Sequence, residues 1–444
     1  MSSDNQLQNA SNGPTSMQDR ILQIVGLLAT LYIFLVSLEL MGASFKLFGK
    51  DFANNLVATA KNPFVGLFIG MLATAIIQSS STTTSMVVVM VATGKFGPAG
   101  DPESIALAVP IIMGANIGTS VTSTIVALGH IANKREYRKA VAAATVHDFF
   151  NIITMAILFP LELIFGVLSA PASALAEVMH VGGGDGGVLG AMKFVKHSVK
   201  PISNGIIDVT GSIFGEAAAA LPYITLLIAL GMLFLALRGL TAQLKKLLIG
   251  RIQKRVDSIL FGHPLKAIGW GAAITTLVQS SSVTSSLTVP LVATNKVSLR
   301  KAFPFLMGAN IGTTTTALIA ALLATGENTT AGLAIAFCHL MFNLVGVLVI
   351  FPIPQIRIIP IQLARRLGNA TMRNRLVGVG YIAVTFFLIP FILILTTTGF
   401  SKGDDKPVDK GVSKEQKVIP PPPADQLKSA DTVSYDSLLK DDGQ

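Results

Sequence analysis

The sequence predicts an all-α, polytopic membrane protein built from two inverted repeats, each with a re-entrant helical hairpin and a broken helix. Three observations lead there. The 444 residues are 51% hydrophobic and only 13% charged, with a mean hydropathy of +0.63, far too apolar for a soluble domain of ordinary usage. Three stretches recur in the same order in the two halves of the chain. Finally, the basic residues gather in short segments between apolar runs, as they do in cytoplasmic loops.

Taken in order, residues 1–20 are polar and lack the basic start and small-residue cleavage site of a removable signal, so the first span is expected to remain as an anchor. Runs at 21–45, 220–244 and 377–397 have the length of about 20 residues that crosses roughly 30 Å of hydrocarbon as a helix. The repeats occupy 21–166 and 220–353. "GMLATAIIQSSSTTTS" from Gly70 matches "GAAITTLVQSSSVTSS" from Gly271, and "PIIMGANIGT" from Pro110 matches "PFLMGANIGT" from Pro304. "HDFFNIITMAILFP" from His147 matches "HLMFNLVGVLVIFP" from His339. The matches are separated by 201, 194 and 192 positions, so loop lengths alone differ between the halves. A weaker match joins the first spans around Gly42 and Gly239. A glycine-rich linker, 167–219, lies between the repeats.

Charge sets the orientation. Lys134, Arg135, Arg138 and Lys139 form one basic group; Lys245, Lys246, Arg251, Lys254 and Arg255 a second; Lys296, Arg300 and Lys301 a third; Arg357, Arg365, Arg366, Arg373 and Arg375 a fourth. All face the cytoplasm together only if each "QSSS" segment enters and leaves on one side, as a re-entrant hairpin. The first repeat then crosses three times, which inverts the second and leaves the linker outside. Residues 354–400 are read as a cytoplasmic basic loop and a final span, and 401–444, rich in Lys, Asp and Pro, as a disordered external tail.

The net charge of +10 is thereby a matter of topology, and nucleic acid is not an expected partner; the lipid bilayer is. The single cysteine, Cys338, excludes an intrachain disulfide and a thiolate metal cluster. No hydrolase elbow, metal cluster or nucleotide loop is present, so no enzyme activity and no organic cofactor are expected.

The repeated motifs carry the chemistry. Gln78, Ser79, Ser80, Ser81 and Thr82 in one half, and Gln279, Ser280, Ser281 and Ser282 in the other, put hydroxyls and an amide where a helix would otherwise be apolar. A helix broken at depth must turn its free N–H and C=O groups to protein or water. Its N-terminus suits an oxyanion, and its neutral oxygens suit small hard cations. Neither motif contains Lys or Arg, so an anion and alkali cations would bind there interdependently. The plainer alternative is that these hydroxyls bond back to the i−4 carbonyl or ease helix packing.

"GANIGT" offers Gly114, Asn116, Gly118 and Thr119, then Gly308, Asn310, Gly312 and Thr313. An unwound ligand-bearing backbone and G-x-x-x-G helix packing both fit, and can coexist. Asp148 is the most costly residue, since a carboxylate near a helix centre is worth about 2.5–3.5 kcal/mol against insertion. Its counterpart, Leu340, is apolar, so a cation site in one repeat only, a structural ion pair and a shallow solvated position all remain open. Asn151 and Asn343 share helix faces with Asp148 and His339. His147 and His339 read as bonded bundle histidines, with proton coupling as the alternative, and Glu39 with Arg238 as a structural ion pair.

These motifs together closely resemble the type II sodium/phosphate cotransporter family, over roughly residues 30–400. The resemblance implies sodium-driven uptake of inorganic phosphate by alternating access across a cell membrane, in a bacterial-type member of an inner membrane. It assigns phosphate to Gln78, Ser79, Ser80, Ser81, Gln279, Ser280, Ser281 and Ser282. Sodium falls to Thr82, Asn116, Thr119, Asp148, Asn151, Gln279, Ser280, Asn310, Thr313 and Thr316. An Asp at position 148 implies electrogenic cotransport with divalent phosphate. Ala115 and Ala309 replace serines usual in animal members, the external-loop disulfide cannot form, and a further C-terminal span is missing. Sulfate or a dicarboxylate as the anion, or a channel with a hydroxyl-lined filter, are the competing readings. The oligomeric state is left open, a homodimer among the options.

Overall fold

The computed structural model describes residues 17–48, 58–98, 101–119, 121–182, 188–215, 219–252 and 260–401, with the side chains at 17–20, 23, 180–197, 237–238, 240–252 and 398–401 excepted. Both tails, the glycines at 183–187, Lys254 and Arg255 therefore lie outside the described residues, as do the side chains of Arg238, Lys245, Lys246 and Arg251.

Every regular element among the described residues is helical. The first half contains α1 (Met17–Leu47), α2 (Pro63–Ile77), α3 (Ser80–Ala92), α4 (Pro102–Gly118), α5 (Val121–Leu128) and α6 (Lys134–Phe165). Two helices follow in the linker, α7 (Ser169–Gly182) and α8 (Val188–Phe214). The second half contains α9 (Leu221–Ile252), α10 (Pro264–Val278), α11 (Ser281–Ala293), α12 (Leu299–Leu323) and α13 (Thr329–Ile350). Beyond it lie α14 (Pro354–Arg373), α15 (Leu376–Ile382), a π-helical turn (Ala383–Leu388) and α16 (Ile389–Ser401). Six described helical stretches are long and apolar enough to cross a membrane: Ile24–Leu47, Pro102–Leu128, Lys134–Phe165, Leu299–Leu323, Thr329–Ile350 and Leu376–Thr397.

Local chemistry explains the boundaries. Asn62 and Asp101 cap α2 and α4 through their side chains, each with a proline in the first turn, and Asn133 caps α6. The paired helices α2–α3 and α10–α11 are short. At about 1.5 Å per residue their 15- and 13-residue arms reach roughly 20–22 Å, less than the ~30 Å of a hydrocarbon core.

The segment read as a basic loop after 353 is in fact the helix α14. Its sequence is amphipathic: Ile361, Ala364, Gly368 and Thr371 are buried while Arg365, Arg366 and Asn369 are exposed. Its buried face lies on α6, where Gly368 fits against the Arg138 backbone carbonyl. The charges had masked a helical period of apolar residues.

The repeats exchange partners. Helix α2 lies along α4, and α10 lies along α12 in the same way. Helix α3 then packs on α12 and α13 of the other half, while α11 packs on α5 and α6. Helices α1 and α9 pack together, and the whole forms one unit up to Thr398.

Candidate functional site

Each "QSSS" segment is a helix break of the same design. Gln78 ends α2 in the left-handed region (φ 59°, ψ 25°) and Gln279 ends α10 likewise (φ 54°, ψ 26°). A non-glycine residue there costs of order 1–3 kcal/mol and persists only where its surroundings hold it. They do so here. Both backbone N–H groups close the preceding turn, to the Thr74 carbonyl at 2.8 Å and the Thr275 carbonyl at 2.7 Å. Both side-chain amides donate to a carbonyl three residues back, Ala75 and Thr276. Both amide oxygens accept from a threonine, Thr122 at 2.9 Å and Thr316 at 2.6 Å.

The chain then runs extended through Ser79 and Ser280, which cap the next helices: Ser79 Oγ accepts from the Thr82 N–H at 3.2 Å and the Thr82 hydroxyl at 2.8 Å, and Ser280 Oγ from the Val283 N–H at 3.4 Å. Ser80, Ser81 and Ser281 are buried and Ser282 half-buried in the first turns of α3 and α11, where backbone N–H groups point out of a helix without intrahelical partners.

The two breaks meet. Ser81 Oγ donates to the Gln279 carbonyl at 3.3 Å, joining residues 198 apart in sequence. The hydroxyls and exposed helix starts of both halves are thus gathered at one place between the repeats.

A second group, of amides, is buried in the helix bundle. Asn151 donates to the Asn116 carbonyl at 2.9 Å, and Asn310 donates to the Asn151 side-chain oxygen at 2.8 Å. Asn116 Oδ1 receives Asn343 at 3.3 Å and lies 3.2 Å from His339 Nε2. Four helices, α4, α6, α12 and α13, are tied by these bonds. His339 is a bonded bundle histidine, as its sequence setting suggests, whereas the ring nitrogens of His147 are buried without a hydrogen-bond partner among the described residues.

Thr119 and Thr313 bond back to the carbonyls of Ala115 at 3.3 Å and Ala309 at 3.0 Å on their own helices. Their hydroxyls accordingly serve their own helices here. The glycines of "GANIGT" serve packing: a Cβ at Gly114 would overlap the Leu67 carbonyl, one at Gly308 the Ile268 carbonyl, and one at Gly118 would sit 2.7 Å from Thr74 Cβ. Helix α4 ends at Gly118 with Thr119 still in right-handed helical conformation, and α12 runs helical through Gly312.

Asp148 is fully buried in α6, one turn before Asn151. Its Oδ2 accepts from the Tyr381 hydroxyl at 3.4 Å, and its Oδ1 lies 3.6 Å from His147 Nε2. Glu39 is buried on α1 and accepts from Thr325 at 3.4 Å. Two contributors escape a reading of the sequence. Thr122 stands 194 positions before Thr316, the spacing of its repeat, and was findable on that ground. Tyr381 lies outside both repeats and carries no such signal.

A helical multi-span membrane protein with a duplicated core, in which two hydroxyl-rich helix breaks converge, is the class that fold and site define. A family model described as Na+/Pi-cotransporter matches residues 33–197 and 232–386. The chain belongs to the Na+/Pi-cotransporter family. It is 31% identical to the human sodium-dependent phosphate transport protein 2B over 466 aligned positions, covering 85% of this chain and 65% of that protein. It is 33% identical to the sheep sodium-dependent phosphate transport protein 2A, covering 83% and 67%, and 33% identical to the bovine protein 2B, covering 82% and 63%. The chain thus spans slightly less than two thirds of the human and bovine proteins. No solved structure matches it.

Proposed function

We propose that this chain is a secondary active transporter that carries inorganic phosphate into the cell together with sodium ions, by alternating access. The observation that carries the reading is the contact between the two serine-rich breaks, Ser81 Oγ to the Gln279 carbonyl at 3.3 Å. The names of the relatives, sodium-dependent phosphate transport proteins, agree with it. Phosphate is taken by the first turns of α3 and α11, with Gln78, Ser79, Ser80, Ser81, Gln279, Ser280, Ser281 and Ser282 as its donors. Helix N-termini favour an oxyanion, and sodium supplies the remaining charge through the oxygens of Thr82, Asn116, Thr119, Asp148, Asn151, Gln279, Ser280, Asn310, Thr313 and Thr316.

The domain plan follows: a polar tail at 1–20, repeats at 21–166 and 220–353, an external linker at 167–219, a cytoplasmic α14 with the last span at 354–400, and a tail at 401–444. The reciprocal packing of α3 on the second half and α11 on the first supports inverted repeats, and the short hairpin arms support re-entry from one side. This is the construction by which transporters rock around a midplane site. A bacterial inner membrane is the setting.

Uptake into proteoliposomes holding the purified chain tests the reading. Saturable phosphate accumulation against its gradient, dependent on external sodium, is the expected result. Flux that only dissipates the gradient would replace the transporter with a channel, and full competition by sulfate or succinate would change the anion.

A further inference from the structure

Away from the breaks, the structure gathers three unpaired cations in one pocket. A cavity of about 370 Å³ is lined by Arg138 and Lys139 from α6, Arg365 and Asn369 from α14, and Asn295 and Ser298 from the turn between α11 and α12. These segments are far apart in sequence and meet only in the fold. Among the described residues none of Arg138, Lys139 and Arg365 has a carboxylate in ion-pairing range, and no acidic side chain lines the cavity. Arg138 and Lys139 are half-buried and Arg365 is exposed.

A bias of basic residues toward the cytoplasmic face explains the sign of these charges. It does not explain their convergence. Like charges brought into one cavity repel, and such an arrangement is stable where an anion is held between them.

The remaining walls identify the anion's source. Val292 and Leu299 line the same cavity, at the end of α11 and the start of the spanning helix α12, while Arg138 and Lys139 lie in the first turns of the spanning helix α6. The pocket therefore sits at the ends of the membrane-spanning helices α6 and α12, where lipid headgroups lie, and apolar residues form part of its wall. A basic pocket between membrane helices on the cytoplasmic side matches the phosphate of an anionic phospholipid.

We propose that this pocket binds the phosphate-bearing headgroup of an anionic phospholipid, with Arg138, Lys139 and Arg365 as its cation ligands and Asn295, Ser298 and Asn369 as neutral donors. It is distinct from the transport site and does not depend on the transport reading.

The test is lipid binding by the purified full chain in detergent, read by native mass spectrometry, with phosphatidylglycerol titrated against phosphatidylcholine of the same chain length. Phosphatidylglycerol should bind preferentially. The triple variant Arg138→Gln, Lys139→Gln, Arg365→Gln should lose that preference by about a hundredfold in affinity, as expected for removing three cations near an anionic lipid. The single Arg365→Gln change, on an exposed side chain, should weaken it about fivefold and guards against misfolding of the triple variant. Equal binding of the two lipids, or wild-type preference in both variants, overturns the proposal. A third arm adds glycerol 3-phosphate at millimolar concentration: failure to displace the lipid supports a lipid site, and full displacement overturns it in favour of a soluble phosphate ester.

Discussion

Gln78 and Gln279 matter most at the smallest scale, because each is a strained residue whose amide oxygen is tied to another helix by a threonine hydroxyl. Losing that bond should cost about 0.5–1.5 kcal/mol. Thr122→Val and Thr316→Val are expected to lower the maximal rate of phosphate uptake by similar factors, about two- to tenfold, with little change in thermal unfolding. Wild-type rates in both would remove these bonds from the account of the site. The glycines make the opposite prediction. Gly114→Ala and Gly308→Ala push a methyl group into the facing backbone carbonyl, so each should destabilise the protein by about 1–3 kcal/mol, the usual cost of overpacking. A thermal unfolding midpoint unchanged in detergent would contradict that packing. At this scale the sequence was legible wherever the repeat marked it: the serine runs, both glutamines and the paired glycines follow from spacing, and Thr122, overlooked, carried the same mark. Hydrogen-bond partners were not legible, since the choice of Asn116 as the hub for Asn151, His339 and Asn343 depends on how four helices cross.

Between elements, the informative contact is the one the last span makes with α6. Tyr381 sits just before a π-helical turn (Ala383–Leu388), a local defect often retained at functional sites, and reaches Asp148 across 233 positions of sequence. The position of Asp148 is held by apolar Leu340 in the second half, so the contact breaks the symmetry of the repeats. Tyr381→Phe should raise the sodium concentration for half-maximal uptake about two- to tenfold, the effect of one hydrogen bond, while sparing the rate at saturating sodium. A rate loss with unchanged sodium dependence would make Tyr381 a packing residue only. Asp148→Gly should keep phosphate uptake but lose its voltage dependence, which is worth about 2.3 kcal/mol per 100 mV for one charge crossing the full potential. Currents that still vary with potential would exclude the carboxylate from that role. Element boundaries divided by composition. Apolar helices with capping residues were readable in order, whereas α14, α7 and α8 were not, because charge and glycine content suggested connecting segments where amphipathic helices had packing partners in α6, α13 and α1.

Across the whole molecule the two halves are interdigitated: α3 belongs to the first repeat yet packs on α12 and α13, and α11 returns the exchange on α5 and α6. No spacing within either repeat reveals that exchange, because it depends on how two copies of one unit face each other. It also gives the inversion a direct test. The turns after the hairpins are equivalent: Gly94 (φ 75°) and Asn295 (φ 61°) both adopt left-handed backbone, and each precedes a lysine, Lys95 and Lys296. If the repeats are inverted, these lysines open to opposite sides of the membrane. The chain has one cysteine, Cys338, which is buried, so Cys338→Ser supplies a thiol-free background. Lys95→Cys in that background should react with a membrane-impermeant maleimide added outside intact cells. Lys296→Cys should react only after the membrane is opened. Labelling of both from one side would place the hairpins in parallel, and the alternating-access account, which needs a site reached in turn from two opposed halves, would fall with it.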